Sequence, residues 1–393
     1  MAAICFVRRN GGFTAGKDCV EQFQREPGAE EVAVMDASKK TEAKQALDRL
    51  IDKQRVALYK PIQVAEILYR VRLGELSVRD IRYNPESYRN PSKRWRDSVT
   101  RLLIDQVSTS SQKYQDNLFE PNAIPPETLA VLAEENLEYP GVVERYIYQQ
   151  FRKRQQQILR LWESLRRATP ERFDLDEFLK SFTSQRGTKR SIDKAFEIVV
   201  YALFDTLVRH LGVTVTLAID ADHMDLLRAF EDFARLVLGI DTSNPSICLD
   251  ARLYRAGVTN AADRGLDMWA NFGPIVQVKH LTLTDELADE ICEGVQADRI
   301  VIVCKDGEKE VLERVCQQLG QRIQGIIVQS QLAHWYEVAL RGDFAALLGK
   351  DLLGSLRREF QGEFPYSKTF KKFLSERGYS SIRKCPSIFW SKD

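Results

Sequence analysis

A chain of 393 residues with 44% hydrophobic content can bury a large core and is too long for one average domain, so two are expected. Its 57 basic residues nearly balance 56 acidic ones, and a net charge of +1 excludes a long-range pull on polyanions; nucleic-acid affinity has to come from local clusters. Seven cysteines with no CxxC pair exclude a disulfide framework and a zinc pattern, and no apolar run reaches membrane-spanning length.

Residues 1–38 read as an extension of unclear role. Ala2 to Val7 is apolar, but Arg8-Arg9-Asn10-Gly11-Gly12 interrupts it too early for a signal peptide. Met35 opens a cleaner helical pattern and is a candidate natural start. Residues 39–180 are expected to form a mainly α-helical, DNA-recognising region. Ala46, Leu47, Leu50 and Ile51 mark a first helix. Pro61 suits the first turn of a second, and Trp95, Val99, Leu102 and Val107 mark a third. Prolines at 121, 125 and 126 signal a loop, and a long helix is expected from Val142 to Arg167.

Basic clusters fall in this region: Arg89, Lys93, Arg94 and Arg96 around Trp95, then Arg152, Lys153 and Arg154. Lys189 and Arg190 follow a little downstream. Arginine and lysine contact phosphates, and arginine reads guanine in the major groove, so these nine form the candidate DNA-binding set; the bland alternative is a solvated helix face.

Residues 181–345 alternate helix and strand signals, which implies a mixed sheet flanked by helices. Helix is expected over Ser191–Leu211, Met224–Leu238, Thr284–Gly294 and Lys309–Leu319. Strand is expected over Val213–Ile219, Ala251–Ala256, Leu266–Ala270, Ile275–Leu281, Arg299–Cys304 and Gly325–Gln329. Asp220, Asp222, His223 and Asp225 resemble a metal cluster, although capping of the following helix explains them more simply. The scattered cysteines read as small buried hydrophobes of a reducing compartment. Residues 346–393 form a basic, aromatic tail, for which docking as a helix plus a strand is the plainer expectation than contact with DNA or a second subunit.

The candidate site lies in Gly265 to His280. Asn271-Phe272-Gly273-Pro274 is a turn, and folding back there brings Asp267 opposite Gln277 and Lys279, which share one face of a strand. Val276, Val278 and His280 face the other way. An acid, an amide oxygen and a lysine at one spot suit phosphodiester hydrolysis with Mg²⁺, a hard cation that takes one or two carboxylates plus water and phosphate. Asp267 is the main expected ligand, with Gln277 beside it, and Lys279 holds the attacking water or a phosphate oxygen.

This pattern resembles the PD-(D/E)xK nuclease superfamily, with Asp267 as the first acid, Gln277 in place of the second and Lys279 as the lysine. Leu266 stands where that motif has proline. The uncharged Gln277 weakens metal binding, so the resemblance implies help from another acid, with Glu197 on the preceding helix as the leading candidate. The fold implied is α/β (α+β), a restriction-endonuclease-like core with a mixed central sheet and helical flanks.

Three further segments, Tyr59 to Arg70, Ser87 to Asp97 and Val107 to Asn117, resemble the HaeII family of type II restriction endonucleases, and the likeness runs from about Thr41 onward. The resemblance implies Mg²⁺-dependent cleavage of double-stranded DNA at a short palindrome with a GCGC core. It further implies a homodimer, a cognate DNA methyltransferase as functional partner, no membrane association and a prokaryotic cytoplasmic setting. The competing readings are a DNA-repair or mobile-element nuclease with the same core, and a catalytically inactive sequence-specific DNA-binding protein.

Overall fold

The computed structural model describes residues 29–108, 117–119, 123–256, 266–282, 284, 297–307 and 323–391. The helices expected over Thr284–Gly294 and Lys309–Leu319 lie, apart from Thr284, outside the described residues, as do residues 1–28.

The first half is helical, as its apolar spacing requires. It comprises α1 (Ala29–Lys53), α2 (Tyr59–Arg72), α3 (Val78–Tyr83), α4 (Glu86–Ile104), α5 (Pro126–Glu138) and α6 (Val142–Arg167). A capping box starts α3: Ser77 Oγ accepts from Asp80 N at 3.0 Å, and Asp80 Oδ2 accepts from Ser77 N at 3.0 Å. Proline at the first position starts α5, where no amide is needed.

Two apolar cores divide the molecule, and α6 enters both. Its N-terminal half gives Val142, Ile147, Tyr148 and Phe151 to the first core, and its C-terminal half gives Ile158, Leu161 and Leu165 to the second. The cores part in the middle of α6, and α7 (Leu175–Thr183) belongs to the second.

The second core packs α8 (Ile192–His210) on a five-stranded sheet. The strands are β3 (Leu253–Arg255), β4 (Met268–Ala270), β5 (Ile275–Thr282), β6 (Ile300–Lys305) and β7 (Ile323–Val328), joined in that order. β3 pairs with β4 and β4 with β5 antiparallel, whereas β5 pairs with β6 and β6 with β7 parallel. Two helices complete it, α10 (Gln329–Arg341) and α11 (Ala345–Glu363); Tyr336 of α10 donates to the Val199 carbonyl of α8 at 2.8 Å.

Between α8 and β3 the chain leaves the core to form a small insertion. β1 (Thr214–Ala218) and β2 (Ser246–Asp250) make an antiparallel ribbon, and α9 (Met224–Ala229) opens the segment between them. The single helix expected over Met224–Leu238 is broken: α9 stops before Phe230, and residues Ala234–Leu238 form a π-turn closed by Gly239 at φ 74°. Its apolar residues lie on two sides, and only Leu227 and Ala234 are buried against a partner, so tertiary packing does not hold it straight.

The C-terminal stretch splits between the cores. α11 belongs to the second, whereas Phe370 and Phe373 of α12 (Phe370–Glu376), with Tyr379 and Phe389, return to the first. Tyr148 of α6 meets Tyr379 face to face at 5.4 Å. The expected docking is borne out for the helix; no strand occurs among the described residues beyond it.

Candidate active site

The β4–β5 hairpin builds the site. Gly273 at φ 112° lets the chain reverse, and Pro274 begins β5 where no ladder amide is lost. Asn271 ties the turn to the chain before β3: its Oδ1 accepts from Arg252 N at 2.8 Å, and its Nδ2 donates to the Asp250 carbonyl at 2.9 Å. Met268 pairs with Val276 and Trp269 with Ile275, so the register continued by one residue sets Asp267 across from Gln277. Asp267 Oδ2 accepts from Val278 N at 2.8 Å, which fixes the carboxylate against the strand. Past Val278 the pairing slips: Val278 faces Val303 but Thr282 faces Lys305, so four steps along β5 match two along β6. This irregularity covers Lys279, and such bulges re-aim side chains beside active sites.

The three residues singled out from sequence thus come together. Gln277 is buried and Lys279 half-exposed, and Lys279 is near enough for its charge to act on Asp267. Burial pushes the Asp267 carboxyl above its ordinary range, against the opposing pull of the Val278 amide and of Lys279, Lys194 and Arg255. Burial also raises Glu197, offset by Lys194 and increased by the negative charge of Asp267. The two acids therefore sense each other. His280 lies edge-on to Phe196 at 5.2 Å, a packing role, and burial lowers its pKa.

A surrounding ion cluster was missed by the sequence reading. Arg255 of β3 donates to Glu197 at 3.0 Å, to Glu359 at 2.9 Å and to Glu363 at 2.8 Å, and Lys194 pairs with Glu197 one helical turn away. Arg255 thereby joins α8, β3 and α11 behind Asp267, and its three carboxylates raise its pKa although burial opposes them. Arg255 within the strand-like Ala251–Ala256 stretch was one available clue. Glu359 and Glu363, four apart on one face of α11, were the other.

Metal fit follows from the donors. Asp267 and Gln277 offer hard oxygens, and a desolvated carboxylate is a place where a divalent cation supplies the missing counter-charge. Glu197 is held by two cations, so its expected ligand role competes with those pairs. Among the described residues no group of three or more His, Cys, Asp or Glu is arranged to hold a metal, so Asp267 and Gln277 offer only a partial oxygen set. Asp220, Asp222, His223 and Asp225 form no such group; Asp220 Oδ1 instead accepts from Asp222 N at 3.1 Å as a cap.

Gln277→Glu is expected to lower the half-saturating Mg²⁺ concentration severalfold. It should also cost the metal-free protein about 1–3 kcal/mol, because a further buried acid is added beside Asp267 and Glu197. Thermal unfolding with and without Mg²⁺ checks this; a midpoint indifferent to Mg²⁺ in the variant overturns it.

The candidate DNA-binding residues divide by burial. Arg94, Lys153, Lys189 and Arg190 are exposed, and Arg89, Lys93 and Arg152 are half-buried. Arg89 lies 3.6 Å from Glu86, and Lys93 donates to Asn90. Arg96 is 1% exposed and clasped by Gln63 and Asp97, so it serves the first core rather than a DNA surface. Arg154 is also buried; it donates to the carbonyls of Ile51, Gln54 and Arg55 and so satisfies the end of α1. Desolvation lowers its pKa to about 10. Both arginines were expected among the DNA contacts, with a solvated helix face as the alternative, and the deep packing of α4 and α6 turns them inward instead. Among the other expectations, Cys304 is buried in β6 as anticipated, whereas Cys248 is exposed on β2. No helix among the described residues is long and apolar enough to cross a membrane.

The family model of the HaeII restriction endonuclease matches residues 43–379. The type II restriction enzyme HaeII of Haemophilus aegyptius is 48% identical over 343 residues, 86% of this chain and 96% of that enzyme. The type II restriction enzyme NgoBI of Neisseria gonorrhoeae is 47% identical over 344 residues, again 86% of this chain and 96% of the relative. No solved structure matches the chain. With the family model spanning most of its length and two relatives matched almost end to end, this protein belongs to the HaeII restriction endonuclease family, a family of type II restriction enzymes.

Proposed function

We propose that the chain is a Mg²⁺-dependent endonuclease that hydrolyses both strands of DNA at a short palindrome with a GCGC core, using a PD-(D/E)xK-type site. The observation that carries this reading is the register of the β4–β5 hairpin, which sets Asp267 across from Gln277, with Lys279 close enough for its charge to act on Asp267. The order of α8, three antiparallel strands and a parallel fourth agrees with the superfamily core.

In this reading Asp267 and Gln277 hold the metal, with Glu197 close enough to add charge. Bound Mg²⁺ supplies an acidified water and neutralises charge on the phosphate. Asp267 is kept in place by the Val278 amide, so its orientation is set before substrate arrives. Lys279 offers an ammonium to the attacking water or to a phosphate oxygen. Arg255 holds Glu197 in position from behind. Arg89, Lys93, Arg94, Arg152, Lys153, Lys189 and Arg190 supply phosphate and base contacts. Two strands cut at a palindrome require two sites related by a two-fold axis, hence a homodimer. A prokaryotic host whose cytoplasm contains such an enzyme needs a cognate methyltransferase to protect its own sites.

Discrete plasmid fragments in Mg²⁺, absent in chelator, are the expected result. Non-discrete degradation favours a repair or mobile-element nuclease. The uncharged Gln277 favours one further reading, an inactive DNA-binding protein, and binding without cleavage in Mg²⁺ is its mark.

The raised Asp267 carboxyl also sets a pH dependence. Only its ionised form serves a metal, so cleavage falls away as pH drops through a value above the ordinary carboxylate range. Because burial raises this group, its charge costs the metal-free fold stability above the ordinary carboxylate pKa, and protonation returns that stability as pH falls. Added Mg²⁺ is expected to shift the acid limb of kcat/KM to lower pH. A limb that ignores Mg²⁺ speaks against Asp267 as ligand.

A further inference from the structure

The insertion between α8 and β3 does not bury its own apolar residues. Among the described residues 22 large hydrophobics are exposed, and ten of them fall between residues 211 and 249. Leu226, Phe230, Phe233 and Val237 follow one another at spacings of four, three and four, each between 56% and 63% exposed, and Leu236 beside them is 84% exposed. The opposite side of this segment, Leu227 and Ala234, is already buried in a small local core. The ribbon repeats the pattern. Its register places Val215, Leu217, Ile247 and Leu249 on one face and Thr214, Thr216, Ala218, Ser246, Cys248 and Asp250 on the other. Leu217 and Leu249 on that apolar face remain 40% and 50% exposed.

The amount of surface limits what covers it. Leu226, Phe230, Phe233, Leu236 and Val237 alone present on the order of 600 Å² of apolar area, above the few hundred Å² that a soluble monomer leaves in one patch and approaching the ~800 Å² per partner of a stable interface. Charge narrows the occupant. Residues 211–250 hold seven acids against two arginines, Arg228 and Arg235, so a phosphate backbone or an anionic lipid surface is repelled. Both arginines are within 4.0 Å of acids of their own segment, which lowers the repulsion between two like faces, and salt screens the remainder.

We infer that this insertion is the face on which two copies of the chain pair about a two-fold axis. The inference rests on the nuclease reading for its need of a second copy: one Asp267–Lys279 site per chain against two DNA strands. It goes further by assigning the surface. The insertion leaves the core directly between α8, which carries Glu197, and β3, which carries Arg255, so pairing there fixes the spacing between the two sites.

Sedimentation of the full chain without DNA tests this. The expected result is twice the chain mass, held or strengthened as salt rises, because the contact is apolar between like-charged faces. Leu236→Glu and Phe233→Glu, each at an exposed position, are expected to weaken association on the order of 10²-fold with an unchanged circular dichroism spectrum. A monomeric parent protein overturns the inference. So does a dimer that both variants leave intact, or one that dissociates on adding salt. A dimer that fails to cut DNA supports the pairing face and counts against the nuclease reading; a monomer that cuts does the reverse.

Discussion

Asp267→Asn is expected to lower DNA cleavage on the order of 10³-fold, and Lys279→Ala by a similar factor, with folding intact in both. The two variants part company in stability. An asparagine at 267 keeps an oxygen for the Val278 amide and removes a charge that burial has made costly, so the metal-free protein holds its thermal midpoint or gains. Lys279→Ala instead removes a cation that offsets the Asp267 charge, and the metal-free protein loses stability, on the order of 1 kcal/mol. A merely structural ion pair behaves otherwise, because losing either partner then destabilises. Plasmid cleavage rates and thermal midpoints in chelator check both halves. Near-parent cleavage in either variant sinks the site.

Glu144→Ala is expected to cost about 3–5 kcal/mol of unfolding free energy. Glu144 is fully buried in α6 and receives Arg72 at 2.9 and 3.0 Å, Asn136 at 2.7 Å and the Tyr379 hydroxyl at 2.7 Å. Removing the carboxylate strands a guanidinium, an amide and a phenol in the first core. It also loosens the C-terminal segment, because Tyr379 stacks on Tyr148 and Arg377 holds Glu66 at 3.0 Å next to them. Glu144→Gln retains one acceptor and should lose less. Denaturant midpoints order the three proteins; a Glu144→Ala midpoint close to that of the parent removes this network from any role in holding the C-terminus.

The sequence made long, periodic elements legible. α6 runs from Val142 to Arg167 as its apolar spacing implies, and β5 differs from its expected end by one residue. Asp267, Gln277 and Lys279 were legible for the same reason: a turn signal and a two-residue alternation determine which residues meet across a hairpin. β2 was missed because Ser246–Asp250 alternates on an exposed ribbon with little apolar burial to mark it. Arg255 was missed because its three acids come from two distant helices, a contact that no local pattern encodes. Arg96 and Arg154 show the converse limit. A basic run reveals charge, while the neighbours that bury it come from elsewhere in the chain: Gln63 for one, the end of α1 for the other.

Because α6 is 26 residues of one helix, about 39 Å, and lends its two ends to different cores, it leaves no hinge between them. The chain also crosses back after α11 to finish the first core. Loss of either core therefore strips packing from a helix the other depends on, and the described parts are expected to melt as one cooperative unit. With the reading residues on α4 and α6 and the cutting site on the β4–β5 hairpin, as proposed above, such construction would make the distance between reading and cutting groups a property of a rigid strut. Strain imposed by a mismatched site then falls on the DNA rather than on a flexible joint in the protein.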